Sequence, residues 1–439
     1  METAAEGCLS RLDEFVAPRP NFALIGAMTA VNRIFMLKGI IGLRDLPPLN
    51  RVAGLRGIAN IRGIEFPEAD QRRLAASCAP DNVTFLTPNH PEFFTDWMID
   101  KEVSARLCPK AAFWATNSVV NGLGKLAQKF WLANNLIAQI PGNSEPAREH
   151  SVKWALQGHG VLLHPEGGVG WHGDTIAPLM SGAAEMAIEA LDRVRQTSAK
   201  RKVLIAPIVW KLVFQRDVEK ELLSECAYVE GRLGIAAANG ATLPQRVYHI
   251  YEALLARDEA AMGLAVQPHM PFRMRHTALV LALQTALVEL AAIDGLPNTP
   301  ADIVRRARKR MRQLAGTDSD VSKRLKILSD MLALNLRLGD FACENKTIAQ
   351  EGLAEHIKRI RNDYCKGSLR DTLNRFVPQP AGPRTAYIRV PDALDVAAFD
   401  GRAEEMMAEV RTRMQAALDT INRGLRAEGR FREYPNPFS

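Results

Sequence analysis

Cysteine is scarce: six residues in a chain of 439, none in a Cys-x-x-Cys spacing. That excludes a disulfide framework and a zinc module, and suits reduced thiols in a cytosolic setting. No run is long and clean enough to span a bilayer. The most apolar candidate, Phe22 to Leu43, is broken by Asn32-Arg33 and Lys38 and carries Gly26, Gly39 and Gly42. The acidic, polar opening has no pattern of a secretory leader, so a cytoplasmic protein is expected. Gly-x-Ser-x-Gly is missing, which argues against a serine hydrolase. Gly-x-x-x-x-Gly-Lys-Ser/Thr is missing too, which argues against a P-loop. No internal repeat is seen, so a solenoid or propeller is not expected.

What is present is an ordinary globular composition, 47% hydrophobic and 24% charged. A net charge of +7 favours anionic partners: a phospholipid surface, a coenzyme bearing phosphates, or nucleic acid. A solvated basic surface with no partner explains the charge equally simply. The apolar segment 22–43 reads either as a helix lying at a membrane interface or as one packed on the protein's own core.

Four regions emerge. Residues 1–45 hold a loose arm and the apolar helix, which Pro47-Pro48 is expected to end. Residues 46–242 alternate strand and helix. Strands are expected within 51–66 and at 83–86, 135–140, 160–163 and 203–209, with helices at 96–107, 145–156 and 181–194. This is an α/β pattern, with ligands expected outside the strand ends. Residues 243–378 turn almost wholly helical, with Leu279 to Ile293 apolar on nearly every side, as at a bundle centre. Residues 379–439 supply a strand at 385–390 and an amphipathic helix at 401–425. Either that strand rejoins the first sheet, making 243–378 an insertion, or the C-terminal part is a separate domain.

Two short motifs carry chemistry. Asn89-His90-Pro91-Glu92-Phe93-Phe94-Thr95-Asp96 follows a short strand. A carboxylate six residues after a histidine can fold back onto the imidazole Nδ1–H, leaving Nε2 to accept a proton from a hydroxyl. His164-Pro165-Glu166-Gly167-Gly168 follows another strand, with Glu166 at a glycine-rich turn where backbone N–H groups can face a ligand. Taken singly, the first reads as a helix-capping histidine and the second as an ordinary tight turn.

Together, in this order and 76 residues apart, the motifs resemble those of the glycerolipid acyltransferase family, the lysophosphatidic acid acyltransferase type. That family carries Asn-His-x4-Asp, Phe-Pro-Glu-Gly, a proline a dozen residues on, then an apolar strand containing Val-Pro. Here stand Asn89-His90, Asp96, Pro165-Glu166-Gly167, Pro178 with Gly182, and Ala206-Pro207-Ile208, over roughly residues 50–220. The resemblance implies a glycerolipid-acyltransferase-like α/β sheet with flanking helices. It implies transfer of an acyl group from a thioester, on coenzyme A or acyl carrier protein, to a lipid hydroxyl, with no resident cofactor or metal. His90 would be the general base oriented by Asp96, and Asn89, Pro165, Glu166, Gly167 and Gly168 would shape the substrate side. The membrane surface is an expected partner; nucleic acid is not.

The chain departs from the family pattern in three places. His90 and Asp96 are separated by five residues, not four. Residues 136–143 lack the family's arginine, and Gly168-Val169-Gly170 and Leu179-Met180 replace its Thr-Arg-Ser and Phe-Lys. Loss of these cations points to an acceptor other than an ordinary glycerol phosphate, or to a phosphate held elsewhere. A lipid-binding scaffold on the same fold and an acyl-thioester hydrolase are the competing readings. His159, His164, His172 and Asp174 have metal-ligand side chains but no ligand spacing. The cations between Arg305 and Lys326 suit anionic headgroups, an acidic carrier protein, or simply solvent.

Overall fold

The computed structural model describes residues 14–49, 52–122, 124–140, 143–170, 173–197, 200–238, 240–293, 299–314, 319–338, 345–376 and 381–439. Most of the expected arm, His172, and the helix-breaking Pro378 and Pro380 lie outside them. The chain divides into two units, Met1–Asp217 with Thr372–Phe431, and Val218–Asp371 with Arg432–Ser439.

The first unit begins with α1 (Phe22–Val31), which runs on as a π-helix at Asn32–Lys38, then the short α2 (Ala53–Arg56), β1 (Ile61–Glu65) and α3 (Glu68–Ser77). Next come β2 (Val83–Pro88), α4 (Thr95–Leu107), β3 (Ala112–Thr116), α5 (Asn117–Val120) and α6 (Lys125–Ala133). β4 (Leu136–Gln139), α7 (Glu145–Leu156), β5 (Val161–Leu162), α8 (Gly182–Gln196) and β6 (Val203–Phe214) complete the run. The second unit supplies α9 (Glu219–Leu233), α10 (Leu243–Ala261), α11 (Phe272–Leu290), α12 (Pro300–Leu314), α13 (Ser319–Leu336), β7 (Thr347–Ala349) and α14 (Gln350–Tyr364). After α15 (Leu369–Phe376), the first unit resumes with β8 (Arg384–Arg389), β9 (Leu394–Asp395) and α16 (Ala403–Ala427). The last strand, β10 (Glu433–Pro435), pairs antiparallel with β7 in the second unit.

The protein is α/β. Its main sheet runs β1-β8-β6-β2-β5-β3-β4, with β9 beside β6. From β6 to β4 all neighbours are parallel, whereas β8 lies antiparallel to β6 and parallel to β1. β6 is buried over almost its whole length, which is why it reads as a continuous apolar run and not as an alternating one. Its alternate residues face opposite layers. Val203, Ile205, Val209 and Val213 pack under α8 and α16, while Ala206, Ile208 and Trp210 share a cluster with Met98 and Ile99 of α4. Small residues on α8 (Ala183, Ala184, Ala187, Ala190) let it lie close to the sheet, and α16 presents a stripe of Met406, Val410, Met414, Leu418 and Leu425.

The strand expected at 385–390 thus sits inside the first sheet, between β1 and β6. Several expected boundaries need correction. The second unit starts at 218 and not at 243, because α9 buries Leu222, Cys226 and Val229 within it. It ends at 371 and regains residues 432–439 through the β7–β10 pair. The apolar helix ends at Lys38, ahead of Pro47-Pro48. There Gly39 takes φ +73°, and a Cβ on it would meet the Arg56 backbone at 2.2 Å. Residues 14–45 are part of the first unit: Leu37 is fully buried, and the Asn32 Nδ2 donates to the Met98 carbonyl at 2.9 Å. α11 buries only one stripe, Leu279, Leu283 and Leu287, and leaves Leu281 exposed, so it is not apolar-packed all round. Among the basic residues of α12 and α13, Arg305, Arg308, Lys323 and Lys326 pair with Asp302, Asp330 and Asp320.

β8 also reaches the first motif. Arg384 Nη1 lies 2.7 Å from Glu92 Oε2, and its Nη2 donates to the Ala59 carbonyl at 3.0 Å, both side chains being buried. Breaking one side of a buried ion pair typically costs about 3–5 kcal/mol. Arg384→Met is therefore expected to lower the unfolding free energy of the first unit, measured with denaturant, by that order, whereas an unchanged value would mean the pair holds nothing.

Candidate active site

β2 and β5 are parallel neighbours, paired through Phe85–Val161 and Leu86–Leu162. Their carboxyl ends therefore release Asn89-His90 and His164-Pro165-Glu166 side by side, at the edge where α/β sheets hold ligands. A cavity of about 370 Å³ opens there. His90, Asp96, Pro165, Gly167 and Gly168 line it together with apolar walls that include Phe94, Trp97, Phe113, Trp114 and Trp131.

Asp96 reaches His90 despite the five-residue separation. Phe94 absorbs the extra residue with φ +67°, a left-handed conformation uncommon outside glycine, and α4 starts at the next residue. Asp96 sits in the first turn of α4, where the helix N-terminus favours a carboxylate. Its Oδ2 lies 2.5 Å from His90 Nε2, and its Oδ1 accepts the Trp97 N–H at 2.5 Å. The expected nitrogen assignment is thus reversed: Asp96 holds Nε2, and the buried Nδ1 makes no hydrogen bond. The ring stacks on that of His164, with ring centres 4.1 Å apart and planes inclined by 17°. Burial and the charge on His164 press the His90 pKa below its ordinary value, against Asp96 and the Gly168 backbone. Burial would raise the Asp96 pKa, but His90 first, with His164 and the Trp97 amide, holds it below the usual range. At neutral pH the pair is a carboxylate and a neutral imidazole protonated on Nε2, with the Nδ1 lone pair free.

A second pair lies against the first. His164 Nε2 is 3.0 Å from Asp100 Oδ2, and His164 Nδ1 is 3.1 Å from the Asn89 carbonyl oxygen. Both nitrogens face acceptors, which requires both to carry protons. Burial opposes that charge, yet Asp100, with Asp96 and Glu166, raises the His164 pKa to about 9. Burial raises Asp100 to about 6, against the pull of His164. Sequence reasoning assigned His164 only to a weak metal set and missed Asp100 altogether. The signal was there: Asp96 and Asp100 stand four apart, on one face of a helix.

Two residues expected to touch substrate are engaged elsewhere. The Asn89 side chain donates to the Trp210 carbonyl and accepts the Trp210 N–H, both at 2.9 Å, continuing the β2–β6 ladder past the end of the strand. Glu166 accepts the His90 N–H at 2.7 Å and the Ala177 N–H at 3.1 Å. Burial raises its pKa, against those two amides. Neither residue lines the cavity. Gly167 is required by its turn: φ is +71°, and a Cβ would meet Met180 Sδ at 2.5 Å. Gly168 has open space where a Cβ would stand. Buried Pro165 offers its carbonyl to the Met180 N–H at 2.8 Å.

Among the described residues, the only lysine or arginine lining the cavity is Arg148, on α7. It was missed because it lies beyond the segment 136–143 where the family's arginine belongs. Its Nη1 is 3.1 Å from Glu185 Oε2, so its charge is already matched. The metal set suggested by sequence does not assemble. Asp174 pairs with Lys211 and accepts from Asn422 at 2.8 Å, His159 packs on the Trp154 ring, and His172 lies outside the described residues. His90, Asp96 and His164 do bring donor atoms within 4.8 Å of one another. With both its nitrogens turned to acceptors, however, His164 has no lone pair to lend.

Compared with known proteins, the chain matches no family model and no curated sequence.

The His164 pKa gives a stability prediction. A histidine raised from 6.5 to about 9 contributes stability fully present below pH 6.5 and lost as pH rises through 9. Denaturant unfolding is expected to show a loss on the order of 3 kcal/mol between those pH values. The double variant H164F/D100N, which removes both titrating partners, is expected to flatten that slope; a slope equal to the wild type's would refute the assignment.

Proposed function

We propose that the protein transfers a fatty acyl group from a thioester to a lipid hydroxyl, on a glycerolipid-acyltransferase-like fold. One observation carries the reading. A neutral histidine, held through Nε2 by an ionised carboxylate and with a buried Nδ1 that makes no hydrogen bond, lines an apolar cavity. A general base needs that combination of a free lone pair and a neighbour that stabilises the cation formed.

The acceptor hydroxyl oxygen attacks the thioester carbonyl as its proton passes to the His90 imidazole. Asp96 stabilises the resulting imidazolium. The carbon–sulfur bond then breaks, and the departing thiolate takes the proton back, leaving a free thiol and an ester. No acyl-enzyme is required. The aromatic walls suit an acyl chain. Because Arg148 is already paired, no unmatched lysine or arginine among the described cavity residues favours a phosphate monoester, and acceptors with neutral or zwitterionic headgroups fit better.

The reading extends to the cytoplasmic face of a membrane. No described helix is long and apolar enough to cross one. Beyond α1, however, Ile34, Phe35, Ile41, Leu46 and Val52 are exposed among Arg33, Lys38 and Arg44. Such a surface suits insertion of side chains at the headgroup boundary.

His90→Ala is expected to cut acyl transfer from an acyl-CoA or acyl-carrier thioester by about a hundred- to ten-thousandfold, with lipid binding and thermal stability kept. A scaffold would lose nothing, and a hydrolase would release free fatty acid even with acceptor lipid present. Exclusive use of lysophosphatidic acid would refute the preference for a non-phosphate acceptor. In sedimentation with anionic phospholipid vesicles, Phe35→Asp with Ile41→Asp is expected to weaken binding about tenfold or more; unchanged partitioning would sink the membrane assignment.

A further inference from the structure

The mechanism just described leaves His164 and Asp100 without a role. Yet both line the cavity, and the histidine is stacked on the base itself. We propose that His164 is a positioning residue: a fixed imidazolium, held doubly protonated between Asp100 and the Asn89 carbonyl, that keeps the His90 Nδ1 free of a proton.

The geometry carries this. Face-to-face rings 4.1 Å apart place two imidazoles too close for both to be charged. Which one takes the proton is decided by the acceptors around each. His164 has one at each nitrogen, at 3.0 and 3.1 Å, and one of them is a carboxylate only 1% exposed. His90 has a carboxylate at Nε2, at 2.5 Å, while its buried Nδ1 makes no hydrogen bond and has the Gly168 backbone near the ring. The proton pair therefore settles on His164, and its charge repels a second proton from His90. The other charged groups about the rings are Asp96 on α4 and Glu166 after β5, with Arg411 of α16 acting on Glu166. Farther along the His90 loop stands the Glu92–Arg384 pair. Glu166 accepts from two backbone amides, which favour its ionised form against the burial that raises its pKa. The phenylalanine usual before Pro-Glu-Gly in the resembled family would carry no charge at this position.

This role rests on the acyltransferase reading only for its catalytic meaning; the proton distribution is testable without turnover. The nine histidines of the full chain can be followed by NMR with ¹³C-labelled imidazoles, His90 being assigned by its absence in the H90A variant. In the wild type, His90 is expected to titrate below 6.5 and His164 to hold its proton to about pH 9. In His164→Phe the His90 midpoint is expected to rise by about one unit or more. In Asp100→Asn, should the first variant fail to fold, the His164 midpoint falls and the His90 midpoint rises. A His164 that titrates near its ordinary value, or a His90 midpoint unmoved in the variants that fold, overturns the proposal. Where acyl transfer is measurable, the acid limb of its pH profile moves up with His90. Absence of transfer at every pH with the NMR shifts intact overturns the functional reading alone.

Discussion

Two strand-end loops 76 residues apart in the chain are tied by one carboxylate. Glu166 takes the backbone amide of His90 on one oxygen and that of Ala177 on the other. Both bonds are stronger to the ionised form, and burial works against the ionisation. The two amides, whose N–H groups would otherwise be buried unpaired, meet part of that cost. The His90 backbone is thereby placed directly beside the segment carrying His164, and the stacking of the two rings follows from it. Asn89 performs the matching task on the other flank, fastening the same loop to β6.

Around that staple the charges alternate. Asp96 and Asp100 project from successive turns of α4, and the rings of His90 and His164 stand against them. Two carboxylates and a single shared surplus of protons make an arrangement with zero or unit net charge, which a buried site can tolerate. Electrostatics thus distinguishes two chemically identical rings: one is locked as a cation and the other is left basic. The apolar walls sharpen the distinction, since fewer water dipoles screen the pairs.

How much of this could be read from the chain depended on whether the partner was local. β2, β5 and β6 show as compact apolar runs, β8 as an alternating one, and α8 and α16 as periodic stripes, because burial of a strand or a helix face leaves a local pattern. β3, Ala-Phe-Trp-Ala-Thr, escaped because bulky rings on adjacent positions face opposite layers and blur the alternation. The approach of Asp96 to His90 was legible as a short loop. Which nitrogen it holds was not, because the surroundings of the ring, His164 among them, come from another strand. The structural roles of Asn89 and Glu166 were hidden for a related reason: their partners are backbone amides and carbonyls, which leave no signature in side-chain sequence. Arg384 is the extreme case, meeting Glu92 across 292 positions.

That last separation bears on how the protein is made. Among the described strands β1 pairs only with β8, and β8 emerges from the ribosome only after residues 218–371 of the second unit have been synthesised. Until then the nascent chain carries an open gap beside β6, a strand apolar on both faces, with β1 unattached. Vectorial synthesis therefore exposes an adhesive edge for the time needed to translate some 170 residues, about ten to thirty seconds at ordinary elongation rates. A newborn molecule of this architecture depends on chaperone cover, or on early compaction of its helical insert, in a way that the finished sheet no longer reveals.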